Sequence, residues 1–373
     1  MNIIFTCGGT GGHINPAIAV ANLLKERHPD CNILFVGSEG GMEEKLVPRA
    51  GYPLRCIRCA GLSRRRTWRA FKWNVKAVGK TLTAVSQCKK IIKEFKPDVI
   101  VGTGGYASFP ALFMGARMGI PTCVHEANAV PGLATRLAAG SADRILVNFA
   151  ESGKAYKQQE KVTCVGMPVR SEFLFTKRAD ARKELGLDER PLVVSAFGSL
   201  GAKAMNQVVA DFMKLETENG LPFRHIHATG SYGWEWMPGL VKGKGVDLEG
   251  GSIDMREYIY NMPTLMAAAD VFISRAGASS CNEIAVSGTP CILIPSPNVT
   301  DNHQEKNARI VADRGGCVLL LEKECTGQRL FEEVEALLAD EGRCRAMRKA
   351  LMDSSMPDSA DRICDIITEL AKN

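Results

Sequence analysis

The feature that most constrains this chain is a repeated alternation of short β-branched runs with helical patterns. In the first half, such runs predict buried parallel strands at residues 2–6, 32–36, 99–101, 122–125 and 144–147. A second series follows at residues 192–197, 224–228, 271–274 and 291–294. Two successive series predict an α/β protein with two Rossmann-like, doubly wound domains that face each other across a cleft.

The length of 373 residues suits two domains of ordinary size. Glycine and proline interrupt the strand–helix pattern at residues 166–170, so we place the domain junction there. The predicted domains are residues 1–165 and 166–355. Residues 356–373 predict a C-terminal helix that packs back on the first domain.

Three glycine-rich turns each follow a predicted strand and precede a predicted helix, at residues 7–13, 102–106 and 198–202. Glycines let backbone N–H groups and a helix N-terminus approach a phosphate without obstruction by a Cβ atom. The second turn also fits the dinucleotide fingerprint G-x-G-x-x-A, through Gly102, Gly104 and Ala107. The first turn fails that fingerprint because position 14 is isoleucine, and a plain tight turn explains the second equally well.

A fourth loop, at residues 274–283, begins a helix with small residues. Its N–H groups are suited to a diphosphate, and the carboxylate of Glu283, one turn into the helix, is suited to a ribose diol. A capping-box role for Glu283 with Ser279 or Ser280 is the alternative.

Polar residues also gather at 125–128, where a strand ends, and at 301–308, where a helix begins. Polar side chains in such places usually line a ligand site. Capping of a surface element explains either cluster taken alone.

Basic charge is concentrated in the first half of the chain. Residues 1–170 hold 24 Lys+Arg and 11 Asp+Glu, a net charge of +13, whereas the remainder holds 23 and 30, a net charge of −7. No acidic residue lies between Glu44 and Glu94, an interval with 14 Lys+Arg. A basic surface of this size usually meets phosphate, in nucleic acid, an anionic membrane or a phosphorylated substrate.

Within that interval, large apolar residues recur at helical spacings of three and four. They are Trp68, Phe71, Val75, Val78, Leu82 and Val85. We expect this row to lie in the core. Another face carries Lys72, Lys76 and Lys80, after Arg64, Arg65 and Arg66. For residues 64–80, a solvated face and a surface for an anionic membrane are equally good interpretations.

Thirteen cysteines, an odd number, and an N-terminus without the features of a signal peptide predict reduced thiols in the cytosol. The longest uncharged window near mid-chain, residues 99–116, is too rich in glycine and polar residues for a transmembrane helix. We therefore expect any membrane contact to be peripheral.

Seven motifs occur in an order that resembles the bacterial cell-wall glycosyltransferases of family 28, which add N-acetylglucosamine to lipid I, the membrane-bound muramoyl-pentapeptide intermediate, to make lipid II. They are GGTGGH at 8–13, GTGGYASFP at 102–110, HEANAVPGLATR at 125–136, GMPVR at 166–170, GSLGA at 198–202, SRAGASSCNE at 274–283 and DNHQEKNA at 301–308. The resemblance covers nearly the whole chain. It implies the GT-B fold and a UDP-N-acetylglucosamine-dependent hexosyltransferase at the cytoplasmic face of the cell membrane.

The resemblance also implies roles for individual residues. Contacts to the donor sugar are implied for Thr10, Gly11, Gly12, Asn128 and Gln304. Contacts to the diphosphate are implied for Arg170 and Ser199, and a contact to the uracil for Ile259. The diphosphate and the ribose are implied to lie against Ala278, Ser279, Ser280, Cys281, Asn282 and Glu283, with Glu283 on the ribose hydroxyls. The family often has Leu and Thr where this chain has Ser279 and Ser280.

The implied reaction is a single inverting displacement, in which the 4-hydroxyl of the muramoyl sugar attacks the anomeric carbon and UDP leaves. It needs a base for the hydroxyl proton and positive groups near the diphosphate. His13 is one candidate base, because imidazole titrates near neutrality and a glycine loop would aim it into the cleft; Glu126 is the other. A purely substrate-binding role for His13 is an equal alternative.

No Asp-x-Asp motif occurs, so we expect no metal and no other cofactor. Arg170 and helix dipoles are expected beside the diphosphate instead.

The expected partners are UDP-N-acetylglucosamine, lipid I, an anionic membrane surface contacted through residues 64–80, and other cell-wall synthesis proteins. Three alternatives stay open. One is a GT-B glycosyltransferase with another lipid or small-molecule acceptor. The second is an NAD(P)-dependent oxidoreductase, supported by Gly102, Gly104 and Ala107 alone. The third is a nucleic-acid-binding protein, although none of the familiar binding motifs is present and we expect no nucleic-acid partner.

Overall fold

The computed structural model describes residues 1–61 and 67–372, so Arg64, Arg65 and Arg66 lie outside the described residues. It divides the chain into two compact units, Met1–Val169 with Met356–Asn373, and Arg170–Ser355. Each unit contains one sheet in which all neighbouring strands run parallel. The predicted α/β fold with two Rossmann-like domains is confirmed.

The first unit is built on a seven-stranded sheet in the order β3-β2-β1-β4-β5-β6-β7. Its strands are β1 (Asn2–Thr6), β2 (Asn32–Ser38), β3 (Leu54–Ile57), β4 (Val99–Gly102), β5 (Thr122–Glu126), β6 (Arg144–Val147) and β7 (Val162–Cys164). The helices that follow these strands are α1 (Gly11–Arg27), α2 (Glu43–Arg49), α3 (Trp68–Phe95), α4 (Ser108–Arg117), α5 (Leu133–Ala139) and α6 (Ala150–Gly153).

Strand β1 shows why these runs form a doubly covered sheet. Ile3, Ile4 and Phe5 are all fully buried. Because successive side chains of a strand point to opposite faces, Ile3 and Phe5 pack with Leu24 of α1 in one core cluster, whereas Ile4 packs with Ile92 of α3 in another. A strand buried on both faces needs a continuous apolar run, which is the signal that the sequence carries.

The second unit is built on a six-stranded sheet in the order β10-β9-β8-β11-β12-β13. Its strands are β8 (Leu192–Ala196), β9 (Arg224–Ala228), β10 (Ile253–Arg256), β11 (Val271–Ser274), β12 (Cys291–Leu293) and β13 (Val318–Leu319). The helices are α7 (Glu172–Phe175), α8 (Arg178–Glu184), α9 (Lys203–Glu218), α10 (Ser231–Trp234), α11 (Met237–Gly243), α12 (Met262–Ala268), α13 (Ala278–Ser287), α14 (His303–Asp313), α15 (Gly327–Ala339) and α16 (Glu341–Ser354).

The last helix, α17 (Ser359–Leu370), belongs to the first unit. It packs on α1, and its residues Ile363, Cys364 and Ile367 are buried in the core cluster that contains β1. Arg27 of α1 forms ion pairs with Asp361 and Asp365 of α17.

All nine predicted strands are present, but the sequence patterns missed β3, β7, β10 and β13. These four are the edge strands of the two sheets and are two to four residues long. Edge strands are covered less completely than central ones, so their apolar signal is short and weak.

Helix α3 turns a different face to the sheet from the one predicted. Its buried side chains are Ala77, Ala84, Cys88 and Ile92, and it packs against α4. Five members of the predicted core row are instead more than half exposed: Trp68, Phe71, Val75, Val78 and Leu82. The prediction that this row lies in the core is therefore wrong. Small alanine side chains allow α3 to approach its neighbours closely, and the large apolar side chains lie on a different face of the helix.

No helix within residues 1–61 and 67–372 is both long enough and apolar enough to span a membrane.

Candidate active site

The polar loops of the first unit follow β1, β4 and β5, at the carboxyl edge of the sheet. Strands β1 and β4 are neighbours, and the strand order runs in opposite directions from them. In open α/β sheets this switch point is where ligands bind, because the two adjacent loops leave a crevice between them. The first and second glycine turns both lie at this point.

His13 lies in the first turn of α1, and its imidazole is held by the second glycine turn. Its Nδ1 is 3.1 Å from the carbonyl oxygen of Thr103, and the Thr103 hydroxyl donates to the His13 carbonyl oxygen at 2.7 Å. A carbonyl can only accept, so Nδ1 carries the proton of this hydrogen bond. In the neutral ring, Nε2 is then the nitrogen with a lone pair, which is the form that a general base requires.

Glycine is needed in these turns because neighbouring protein atoms leave no space for a Cβ atom. A Cβ atom at Gly104 would lie 2.6 Å from Nδ1 of His13, and one at Gly105 would lie 2.0 Å from the carbonyl oxygen of Gly8. Both residues also have positive φ angles, 105° and 81°. Gly102, Gly104 and Ala107 therefore form an interlocked turn, and the space at Gly104 that a dinucleotide phosphate would use is occupied by His13.

Thr10 and Gly11 offer a more open surface. Thr10 is exposed, and its side chain forms no capping hydrogen bond at the start of α1. The nearest described atom to a Cβ atom at Gly11 would be Nδ2 of Asn15, at 3.7 Å, and Gly12 is half-buried. The N-terminus of this 17-residue helix suits an uncharged or negatively charged ligand group.

Glu126, at the end of β5, is almost fully buried, and both of its carboxylate oxygens accept hydrogen bonds from the loop that follows. Oε1 accepts from the N–H and the side-chain amide of Asn128, at 2.9 and 3.3 Å, and Oε2 accepts from the N–H of Gly132 at 3.0 Å. These bonds fix the loop that carries Asn128. They favour a loop-positioning role for Glu126 and leave His13 as the stronger candidate base.

His125 lies in the polar cluster at residues 125–128, but no individual role was predicted for it. It is buried, and its Nε2 donates to the carbonyl oxygen of Gly166 at 2.8 Å. Burial lowers the pKa of His125, so the ring is neutral and acts as a hydrogen-bond donor. Gly166 has a φ of 75°, and a Cβ atom there would lie 2.7 Å from Cβ of Met356. His125 therefore holds the segment that leaves the first unit.

In the second unit, the polar loops follow β8 and β11, which are also neighbours at a switch point. The third glycine turn packs closely against the loop after β9. A Cβ atom at Gly201 would lie 2.0 Å from the carbonyl oxygen of Thr229, and one at Gly230 would lie 2.0 Å from the N atom of Gly201. Ser199 is exposed at the tip of this turn.

Glu283 lies in the second turn of α13. Within the described part of the chain it forms no hydrogen bond or ion pair, and Arg170 is the charge that acts on it. Burial raises the pKa of Glu283 to about 7, and Arg170 opposes this rise. The capping-box alternative is not supported, because the side chain of Glu283 bonds to neither Ser279 nor Ser280. A half-buried carboxylate that lacks partners is suited to hydroxyl donors from a ligand.

At the start of α13, three polar side chains are partly exposed, whereas the thiol of Cys281 is buried. Ser279, Ser280 and Asn282 are half-buried, and the Asn282 amide donates to the carbonyl oxygen of Ala278 at 2.8 Å. Cys281 is buried, its N–H donates to Gly277 at 2.9 Å, and burial raises the pKa of its thiol. The thiol of Cys281 is therefore part of the core and its N–H is used within the helix, and the contact of this residue with the ligand stays a prediction.

The remaining predicted residues lie in three other segments of the second unit. Arg170 is half exposed and lies over the ring of Phe173, 5.2 Å from its centre. Ile259 is buried in the segment that follows β10. Gln304 uses its Oε1 to accept from the N–H of Ser296 at 2.9 Å, which holds the loop before α14.

Three polar residues that support these loops, of which Asn307 and Asn206 are fully buried, were not predicted from the sequence. The guanidinium of Arg275 donates to the carbonyl oxygen of Ile294 at 3.0 Å and lies over the ring of Phe197, 5.7 Å from its centre. Asn307 donates to the carbonyl oxygen of Ala276 at 3.1 Å, and Asn206 to that of Thr229 at 2.8 Å. Arg275 and Asn307 lie inside motifs already noted, whereas no local signal identifies Asn206.

Among the described residues, no group of three or more His, Cys, Asp or Glu side chains is arranged to hold a metal ion.

Comparison with known proteins gives a consistent result for both units. Residues 3–147 match the glycosyltransferase family 28 N-terminal domain, and residues 192–363 match the glycosyltransferase family 28 C-terminal domain. These two matches together span most of the chain.

Two curated relatives and one solved structure extend this result. The chain is 40% identical to the UDP-N-acetylglucosamine--N-acetylmuramyl-(pentapeptide) pyrophosphoryl-undecaprenol N-acetylglucosamine transferase of Acetivibrio thermocellus, across 100% of this chain and 99% of the relative. It is 39% identical to the protein of the same name from Desulforudis audaxviator, with the same coverage. Its fold is similar to the crystal structure of Acinetobacter baumannii MurG, with a TM-score of 0.78, 24% identity and 99% of each chain covered.

Proposed function

Because the chain belongs to glycosyltransferase family 28, we propose that it transfers N-acetylglucosamine from UDP-N-acetylglucosamine to the N-acetylmuramyl-pentapeptide that is linked by a diphosphate to undecaprenol. This is the conversion of lipid I to lipid II in peptidoglycan synthesis. The observation that carries this function is the identity of about 40%, from end to end, to transferases named for that reaction.

The donor is bound by the second unit. We assign the diphosphate to the N-terminus of α13, with Ala278, Ser279 and Ser280, and to Arg170. Glu283 accepts from the ribose hydroxyls, because none of the described residues forms a hydrogen bond or ion pair with its carboxylate. Ser199 and the backbone of Ile259 lie at the same carboxyl edge of the sheet, and they contact the diphosphate and the uracil.

The acceptor and the base are assigned to the first unit. Thr10, Gly11, Gly12 and Asn128 contact the donor sugar, and Nε2 of His13 takes the proton of the acceptor 4-hydroxyl. The oxygen of that hydroxyl bonds to the anomeric carbon as the bond from this carbon to the diphosphate oxygen breaks. The electron pair of the broken bond leaves with UDP, and the configuration is inverted because the hydroxyl attacks in a single displacement from the face opposite the diphosphate. Gln304 holds the loop before α14 and contacts the sugar through the rest of its amide.

A transfer assay with radiolabelled UDP-N-acetylglucosamine and a lipid I analogue tests this function. We expect label in a lipid II product that depends on both the enzyme and the acceptor. Transfer to a different lipid or small-molecule acceptor, with none to the lipid I analogue, would contradict the assigned acceptor. Thermal protection by NAD but not by UDP would instead support an oxidoreductase.

The assignment of Glu283 makes a pH-dependent prediction. Since its pKa is about 7 and only the carboxylate accepts two hydroxyl donors, affinity for UDP-N-acetylglucosamine should rise about tenfold between pH 6 and pH 8. Glu283→Gln should bind more weakly and lose this dependence. Calorimetric titration at pH 6, 7 and 8 measures both effects, and the donor itself has no ionisation near neutrality from a terminal phosphate.

Glu341→Gln, a change on the exposed start of α16, serves as the matched control and should keep the wild-type pH profile. A profile that is equally steep in Glu283→Gln would remove Glu283 from the ribose site.

The membrane contact is assigned to helix α3. Its exposed apolar row, defined as Trp68, Phe71, Val75, Val78 and Leu82, extends over about 21 Å at the helical rise per residue. Lysines lie beside the row, and Nζ of Lys72 is 5.8 Å from the centre of the Trp68 ring. A helix with large apolar side chains beside lysines is typical of one that lies in the interface of an anionic bilayer. We propose that α3 brings the enzyme to the cytoplasmic membrane surface where its lipid acceptor resides.

A further inference from the structure

Glu43 is a buried acidic residue that the reaction scheme above does not use. It begins α2, just after β2, and its exposure is 0%. Its Oε1 accepts hydrogen bonds from the N–H and the hydroxyl of Ser38, at 3.2 and 2.9 Å, whereas Oε2 is buried and has no hydrogen-bond partner among residues 1–61 and 67–372. Burial of a carboxyl group costs free energy, so its presence at this position implies a compensating benefit to the protein.

Glycines on three segments make room for this carboxyl group. A Cβ atom at Gly8 would lie 2.9 Å from Oε1 of Glu43, one at Gly37 would lie 3.0 Å from its Cβ, and one at Gly41 would overlap its Oε2. Gly8 belongs to the first glycine turn, which leads to His13. The carboxyl group of Glu43 therefore lies directly against the backbone of the turn that carries the candidate base.

A chain of hydrogen bonds continues from Glu43 to the second glycine turn. The hydroxyl groups of Ser38 and Tyr106 are 3.2 Å apart. Because Ser38 has one hydroxyl proton and donates it to Glu43, Tyr106 must donate to Ser38. The carboxyl group that accepts the last hydrogen bond thus sets the direction of both bonds: Tyr106 donates to Ser38, and Ser38 donates to Glu43.

Tyr106 ends the second glycine turn, and its ring lies against the first. Its ring would be 3.4 Å from a Cβ atom at Gly9, and it follows directly on Gly104 and Gly105, which contact His13 and Gly8. Thr103, three residues earlier, accepts the Nδ1 proton of His13. The position of Tyr106 is therefore coupled to the carbonyl group that fixes the tautomer and orientation of His13.

We propose that Glu43 is a positioning residue for the transfer reaction: through Ser38 and Tyr106 it holds the two glycine turns so that the His13 imidazole is correctly oriented. The inference rests on the proposed function. Orientation of a catalytic group affects the chemical step more than the binding of a donor that is held elsewhere.

The test uses three variants that each remove little volume, Ser38→Ala, Tyr106→Phe and Glu43→Gln, in the full chain with UDP-N-acetylglucosamine and a lipid I analogue. We expect kcat to fall about tenfold in Ser38→Ala and Tyr106→Phe, with the KM for the donor unchanged. Glu43→Gln keeps an oxygen acceptor and should retain more activity than Glu43→Ala. Tyr52→Phe, which removes the hydroxyl that donates to Asn22, is the matched control and should keep wild-type kcat.

The decisive measurement repeats Tyr106→Phe in a His13→Ala background. If Glu43 acts through His13, Tyr106→Phe causes no further loss of kcat in the His13→Ala background. A full tenfold loss in that background, or wild-type kcat in both Ser38→Ala and Tyr106→Phe, would overturn the proposal. Absence of transfer by the wild-type enzyme would be a failure of the proposed function instead, and it is seen before any variant is measured.

Discussion

Replacing His13 with alanine is expected to lower kcat by about a hundredfold or more, with the affinity for UDP unchanged. The imidazole is held through Nδ1 by Thr103, which leaves Nε2 as the basic nitrogen, and a positioned general base contributes about 10²- to 10⁴-fold to a rate. The groups assigned to the nucleotide lie in the second unit, so its binding should not depend on His13. Steady-state transfer assays and calorimetric titration with UDP measure the two quantities.

His28→Ala is the matched control, because His28 is exposed at the other end of α1. It should leave both kcat and UDP affinity unchanged. Retained turnover in His13→Ala, together with near-complete loss in Glu126→Gln, would transfer the role of base to Glu126. Since Glu126 holds the loop of Asn128, we expect Glu126→Gln to raise the KM for the donor instead.

The second large effect concerns the apolar row of α3. The triple variant Phe71→Ser, Val78→Ser and Leu82→Ser should lose at least tenfold in affinity for vesicles that contain anionic phospholipid. All three side chains are more than half exposed, and complete burial of each would contribute about 1.5–3 kcal/mol. Co-sedimentation with vesicles measures the affinity, and a soluble lipid I analogue measures whether the transfer activity is intact.

Two comparisons make this test specific. Met352→Ser alters an exposed apolar side chain of α16 in the second unit and should not change vesicle binding. Salt should weaken the binding of the wild type and of the triple variant alike, because Lys72, Lys76 and Lys80 remain. Undiminished vesicle binding by the triple variant would show that α3 is not the membrane contact.

Much of the fold could be predicted because the central strands carry their own signal. Residues 3–5, for example, are apolar at every position and fully buried, as a strand covered on both faces requires. The four edge strands lack that signal since they are short and partly exposed. The order of the motifs along the chain also located the loops at the strand ends, because consecutive parallel strands all finish at the same edge of a sheet.

The roles of individual side chains within those loops were harder to obtain. Glu126 was a candidate base in the sequence, and only the structure shows its oxygens bonded to Asn128 and Gly132. Cys281 lies in a binding motif, yet its thiol faces the core. A motif marks a segment near a ligand, whereas the direction of each side chain depends on the packing of the helix that follows.

By itself, the sequence determined the two parallel sheets, the family and the loops in which the candidate residues lie. The tertiary structure decided which face of α3 is buried, because helical periodicity defines faces but close packing of Ala77 and Ala84 chooses between them. It also decided how His13 is held, since its partner Thr103 is 90 residues away, and it brought Glu43 and Tyr106 together through Ser38. Local patterns depend on neighbours in the chain, whereas these contacts form only when separate strands bring their ends to one edge of a sheet.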